Sequence, residues 1–210
     1  MISFRTERGL IKEGRRHLAG LDEVGRGSLF GPVVAVAVVF PPDFFHGKRP
    51  AWTGQVIDSK LLSPTKRLEL AGRILRTASD LGLGYASHLE IDRLNIYRAS
   101  QLAMVRALQE LSLKPDAILV DGHPLKGIDY FQMAVPQGDR KIFSVAAASI
   151  VAKVFRDELM AVLDKVYPGY QLDQNKGYAT EAHYLALETI GPCALHRKSF
   201  RLYRERVLIR

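Results

Sequence analysis

Residues 17–40 read HLAGLDEVGRGSLFGPVVAVAVVF. An apolar lead-in reaches two adjacent carboxylates, Asp22 and Glu23. A glycine-rich turn carrying Arg26 follows, and a β-branched run closes the stretch. HLAGLDE reads as a strand, and so does VVAVAVVF, which is too short and too valine-rich for a helix. Gly25, Gly27 and Gly31 therefore join two strands. Neighbouring strand residues point to opposite faces, so Asp22 and Glu23 share one site only where the strand ends or bulges. The glycines at 25 and 27 offer that break. Gly25, Gly27 and Gly31 also loosely echo the dinucleotide-binding GxGxxG, but Pro32 and a valine-rich strand follow where a helix has to begin.

Outward from this stretch, strands and helices intermix. Ser63 caps and Pro64 opens a helix in which Leu68, Ala71, Leu75 and Ala78 recur at helical spacing. LGYASH reads as a short strand. Ser87 with Glu90 forms a capping box that starts a helix predicted from about 88 to 111. DAILVDG is a buried-strand pattern ending in Asp121 and Gly122, and YFQMAV is a further strand. The loop PQGDRKIF leads into a long helix predicted from about 144 to 166. A final helix runs from Thr180 to about Thr189 and stops at Gly191 and Pro192. The pattern is α/β around a mixed sheet.

The acids sit where chemistry is expected. Asp121 ends an apolar strand, and ligands gather at the carboxyl ends of strands in α/β sheets. Ser149, Lys153 and Asp157 recur every four residues, a narrow polar stripe on an otherwise apolar helix, so the stripe faces a site or cleft. Asp22, Glu23, Asp121 and Asp157 together make an all-oxygen set, which suits magnesium or manganese. The plainer alternatives are a solvated strand end for Asp22 and Glu23, and an intrahelical Lys153–Asp157 ion pair worth about 0.2–0.5 kcal/mol.

At 210 residues and 47% hydrophobic content the chain is one globular domain, or one with a small appendage. The longest apolar run is about ten residues, short of the roughly 20 of a membrane-crossing helix, and no apolar signal core opens the chain, so a cytoplasmic protein is expected. The single cysteine, Cys193, forms no internal disulfide, and the six histidines show no zinc-finger spacing. The net charge of +8 resides at the ends: residues 1–16 carry five bases and two acids, residues 197–210 six and one. A nucleic-acid surface and a merely solubilising pair of ends explain that charge equally well.

The assembled pattern resembles type 2 ribonuclease H, the ribonuclease HII family. The matching pieces are DEVGRG at 22–27, DSKLLS at 58–63, LNI at 94–96, VDG at 120–122, AAASIVAKVFRD at 146–157, KGY at 176–178 and HRKSF at 196–200. They run in family order across nearly the whole chain. The resemblance implies a ribonuclease H-like mixed sheet flanked by helices, residues 1–168, with a small helical C-terminal substrate-binding part, residues 169–210, in one compact unit. It places the four catalytic, metal-binding acids at Asp22, Glu23, Asp121 and Asp157, and leaves Asp139 of the QGDR loop out of the set.

The family cleaves 5′ of a ribonucleotide in RNA–DNA hybrids and in duplex DNA with embedded ribonucleotides, leaving 3′-hydroxyl and 5′-phosphate ends. Two Mg²⁺ or Mn²⁺ ions would activate water and stabilise the departing 3′ oxygen. The resemblance assigns ribose sensing to Gly25, Arg26 and Gly27, where bare glycines let the backbone approach the sugar. It assigns the RNA–DNA junction to Tyr178. The family usually reads HKGYPT there, so Asn175 and Ala179 depart from it. Ser59, Lys60 and Arg197 are expected phosphate contacts, with a polar turn or scattered surface charge as the plainer alternative, and Lys153 is expected to contact phosphate or to restrain the acid cluster.

A monomer without membrane association is expected. Three rivals are weighed against this. Type 3 ribonuclease H usually carries an N-terminal substrate-binding domain and lacks the arginine between the glycines; here 21 residues precede Asp22 and Arg26 is present. A non-catalytic nucleic-acid-binding protein needs no acid cluster, and a resolvase needs no 2′-hydroxyl.

Overall fold

The computed structural model describes residues 2–203. The basic tail from 204 onward, counted above in the charge of the C-terminal end, lies outside the described residues. The first helix, α1 (Arg5–Lys12), is one the sequence reading leaves unassigned. β1 (Leu18–Val24) and β2 (Val33–Val39) are the two strands of the opening stretch. A short α2 (Pro42–His46) and α3 (Pro64–Thr77) precede β3 (Asp80–Ala86). Then come α4 (His88–Leu94), α5 (Ile96–Gln109), β4 (Ala117–Asp121) and β5 (Gln132–Val135). The long α6 (Phe143–Val166), the single turn α7 (Leu172–Asn175) and α8 (Glu181–Ile190) are the last helices among the described residues.

The five strands lie in the order β3-β2-β1-β4-β5. β1 is antiparallel to β2 and parallel to β4, and β4 is parallel to β5. This is the mixed α/β sheet expected. β2 is buried along its whole length because helices cover both faces. On one face Val36 and Val38 pack with Phe143, Ala147 and Ile150 of α6; on the other Ala35, Ala37 and Val39 pack with Ala99, Ala103 and Ala107 of α5. α6 crosses β1 so closely that a Cβ at Gly20 would overlap the Ser144 backbone. Glu7 of α1, fully buried, fixes the start of that helix: its Oε1 accepts from the Ser144 N–H at 2.9 Å and the Ser144 hydroxyl at 3.1 Å.

The local signals hold where they are chemical. Ser63, Ser87 and Thr180 each accept the expected capping hydrogen bond, at Lys66, Glu90 and His183, of the kind worth about 1 kcal/mol. Two readings are corrected. The helix predicted from about 88 to 111 is two helices, broken at Asn95 (φ 69°), whose side chain caps α5. On α3 the buried face is Arg67, Leu70, Ala71 and Ile74, while Leu68 and Leu75 are exposed, because α3 docks on α6 along that other stripe.

The C-terminal part is anchored by a separate apolar cluster, in which Leu29 and Phe30 meet Met160, Tyr170, Leu172 and Leu187. Backbone bonds finish the attachment: Leu29 N–H donates to Gly177 O (2.8 Å), Gly31 N–H to Leu195 O (2.9 Å) and Arg197 N–H to Leu29 O (2.9 Å). The loop after β1 is thereby held between residues 176–178 and 195–197.

Candidate active site

A cavity of about 560 Å³ opens at the carboxyl ends of β1 and β4. Asp22, Glu23 and Asp121 line it. Of the two breaks the sequence allows, a strand end or a bulge, there is no bulge: Asp22, Glu23 and Val24 pair regularly with Val36, Ala35 and Val34 of β2. On the other side, β1–β4 pairing stops at Leu21 opposite Val120. β1 thus runs on past the last rung of its parallel partner, and the freed flank forms the notch.

Each acid is held by one oxygen. Asp22 Oδ1 accepts from the Glu23 N–H (2.8 Å), Glu23 Oε1 from Arg26 (2.9 Å) and Asp121 Oδ1 from the Gly138 N–H (2.6 Å). Burial pushes the Asp22 carboxyl well above the ordinary range; the Glu23 and Asp121 charges push the same way, against the nearby Ser149 hydroxyl. Burial also raises Glu23, against the Arg26 guanidinium. Glu23 Oε2 is buried and has no hydrogen-bond partner among the described residues.

A buried carboxylate oxygen without a donor, facing two further carboxylates, is what a divalent cation would neutralise and satisfy. The donor set fits a hard ion: no imidazole or thiolate lines the cavity among the described residues. Among the described residues no three of these acids already stand close enough together to hold an ion. They line an open cavity instead, with room for water and substrate oxygens to complete coordination.

The fourth acid differs from the expectation. Asp157 does not line the cavity; its Oδ1 is 2.7 Å from Lys153 Nζ and its Oδ2 3.1 Å from Arg67 Nη1. Asp139 does line it, and its carboxyl is raised by burial and by the Asp121 and Asp58 charges. A signal existed in the topology. β5 is parallel to β4, with Val135 beside Asp121, so the loop that follows β5 emerges at the same sheet edge as Asp121.

Ser59 and Lys60 line the cavity, in a turn held by Asp58, which accepts from the Lys60 N–H (3.0 Å) and pairs with Arg140 (2.7 Å). The buried Ser59 shares a 3.1 Å hydrogen bond with Ser149. Lys153 and Tyr178 also line the cavity, with the ammonium 5.8 Å from the ring centroid. Asn175, a departure from the family pattern, builds the Tyr178 loop: its amide donates to Tyr170 O (2.6 Å) and its Oδ1 accepts from the Gly177 N–H (2.7 Å).

Gly25, Arg26 and Gly27 line the same cavity, but the two glycines are bare for different reasons. Gly25 has φ +92°, and a Cβ there would overlap the Arg156 side chain. At Gly27 an added Cβ would meet only the edge of the Tyr178 ring, at 3.9 Å. Arg197 is the second correction: it is fully buried and bonded to backbone carbonyls behind the loop, so it is no surface phosphate contact.

The sequence model of Ribonuclease HII matches residues 19–203. The chain belongs to that family. It is 48% identical over 198 residues to the ribonuclease HII of Moorella thermoacetica, covering 94% of this chain and 93% of that protein. The ribonuclease H2 from Pyrococcus horikoshii OT3 superposes with a TM-score of 0.74 at 26% identity, over 89% of this chain and 94% of that one. The Bst-RNase HIII structure in complex with Mn²⁺ shares the fold, with a TM-score of 0.64 at 22% identity over 89% of this chain and 68% of that one. As a ribonuclease HII, the protein is a metal-dependent endonuclease that hydrolyses RNA in RNA–DNA hybrids. Among the described residues, no helix is long and apolar enough to cross a membrane.

Proposed function

We propose that the protein cuts the phosphodiester on the 5′ side of a ribonucleotide, in hybrids and at single ribonucleotides embedded in duplex DNA, leaving 3′-hydroxyl and 5′-phosphate ends. One observation carries this reading: the acids and the GRG loop share a cavity and are joined by the 2.9 Å Glu23–Arg26 ion pair. The bond to be cut and the sugar to be read are neighbours in the substrate, and so are the groups that would handle them.

Asp22, Glu23, Asp121 and Asp139 are the carboxylates we assign to hold Mg²⁺ or Mn²⁺, with Asp157 assigned instead to fix Lys153 and Arg67. Two such ions, when bound, supply an activated water and charge compensation at the leaving 3′ oxygen. The chain's own residues do the rest. Lys60 and Lys153 offset the phosphate charge that the acids would otherwise repel. The N–H groups and bare face of the GRG loop meet the ribose, and the Tyr178 ring lies against the neighbouring sugar at the junction. Residues from 169 onward bind the duplex by presenting Tyr178. The protein acts as a monomer in the cytoplasm.

The test is cleavage of an end-labelled DNA duplex carrying one ribonucleotide, beside an all-DNA control, with magnesium, manganese or chelator. A metal-dependent nick 5′ of the ribonucleotide, absent from the control, is expected. Binding without cleavage under every metal condition would refute the catalytic reading, and equal cutting of both duplexes would refute ribose sensing.

A further inference from the structure

The GRG loop is gripped from behind by an arginine that never reaches the cavity. Arg197 is 0% exposed. Its guanidinium donates to three carbonyls of the loop: Nη2 to Gly25 O at 2.8 Å, Nη1 to Arg26 O at 2.9 Å and Nε to Gly31 O at 2.9 Å. Among the described residues it has no carboxylate partner. The Phe200 ring packs against it with its centroid 5.1 Å from Cζ, and its own N–H is bonded to Leu29 O. A buried cation satisfied by loop carbonyls alone is a costly arrangement for fixing an ordinary turn.

The consequence follows from peptide planarity. In a trans peptide the C=O of one residue and the N–H of the next lie in one rigid plane and point in opposite directions. The Gly25 carbonyl shares its plane with the Arg26 N–H, and the Arg26 carbonyl with the Gly27 N–H. Drawing both carbonyls back onto Arg197 therefore turns both N–H groups outward. Neither N–H has an acceptor among the described residues, and both residues line the cavity. Successive outward amides of this kind make a concave donor site.

We propose that Arg197 is a positioning residue for ribose recognition: it holds the Arg26 and Gly27 N–H groups aimed into the cavity as preorganised donors to the ribose 2′-oxygen. The inference rests on the loop being the ribose sensor. A deoxyribose offers no oxygen there and leaves aligned donors unpaired, and sites built that way reject the analogue strongly. Lysine would keep the charge at 197, but its single nitrogen does not reproduce a planar fork that spans three carbonyls.

The test uses the full chain. In the wild type, the amide resonances of Arg26 and Gly27 are followed by NMR as a single-ribonucleotide duplex or its all-DNA counterpart is added. Shifts specific to the ribonucleotide are expected at both; no difference between the duplexes would overturn the sensor reading and this inference with it. In Arg197→Lys those ribose-specific shifts are expected to vanish. The kcat/KM on the single-ribonucleotide duplex falls by about 100-fold, while affinity for the all-DNA duplex stays unchanged. With the wild-type shifts present, a variant that keeps both its shifts and its kcat/KM would overturn the role of Arg197 alone. Should Arg197→Lys not fold, the wild-type order parameters of the two amides decide: values of about 0.85 are those of a clamped loop, and values below about 0.6 would overturn the proposal.

Discussion

The Asp157 carboxylate lies 2.7 Å from the Lys153 ammonium one helical turn before it, and its other oxygen is bonded to Arg67 of α3. Both oxygens are thus engaged by cations, whereas Asp139 faces the cavity beside Asp121. Asp139→Asn is expected to lower kcat/KM by about 100-fold without lowering Tm, since a neutral amide relieves repulsion. Asp157→Asn is expected to keep most activity and to cost about 1–3 kcal/mol of stability. Paired cleavage assays and melts decide it, and the opposite ranking would return Asp157 to the metal site.

Asp121→Asn isolates metal binding from folding. The amide oxygen still accepts from the Gly138 N–H, now 2.6 Å from Oδ1, so the loop before α6 keeps its anchor. The fold and duplex binding persist while cleavage is lost in both magnesium and manganese. Full activity in the variant, measured on the single-ribonucleotide duplex, would remove Asp121 from the mechanism.

Lys60 lies at the cavity rim in a turn that its backbone helps to hold. If its side chain neutralises a phosphate, Lys60→Ala weakens binding to every duplex alike and reduces the slope of log K against log salt by about 0.9. Fluorescence anisotropy over a salt series measures this. An unchanged slope would place Lys60 off the backbone path.

Behind the Tyr178 loop, two buried imidazoles form a directed chain. Cys193 N–H donates to His196 Nδ1 at 3.0 Å, so the His196 proton is on Nε2 and donates to His183 Nε2 at 3.1 Å. His183 Nδ1–H then donates to Tyr178 O at 3.0 Å. Burial and the adjacent His183 push His196 down to about 4, against about 6.5 in an unfolded chain. Between those values the unfolded chain binds more protons, so this stability is complete above about pH 6.5 and is lost as pH falls toward 4. The loss is about 3 kcal/mol by pH 4 and about 2 kcal/mol by pH 5. Raised carboxylates such as Glu7 act in the opposite sense, so the comparison is made against His196→Gln. Its urea-unfolding stability is expected to fall less than the wild type's from pH 8 to pH 5, and equal falls would disprove the assignment.

Much of the fold was legible because its signals are local. A serine before a proline, a capping box or an eight-residue valine-rich run acts within one turn or strand, and chain neighbours supply the partners. The acid pair, the GRG loop and Tyr178 were legible for a related reason: they cluster in short motifs whose spacing survives any tertiary detail. Asn95 was missed because apolar periodicity runs through it, although its backbone does not.

What the sequence by itself determined is the set of elements, the class of sheet and the short motifs of the site. Which chemically similar residues are free to act was decided only in three dimensions. Asp139 and Asp157 are both aspartates within or beside one helix, yet one faces Asp121 and the other meets an arginine 90 residues away. Arg197 reads as one more charge in a basic tail, yet it is sealed behind the loop by three carbonyls. A charged group's role is set by what neutralises it, and those partners come from distant parts of the chain that only packing brings together.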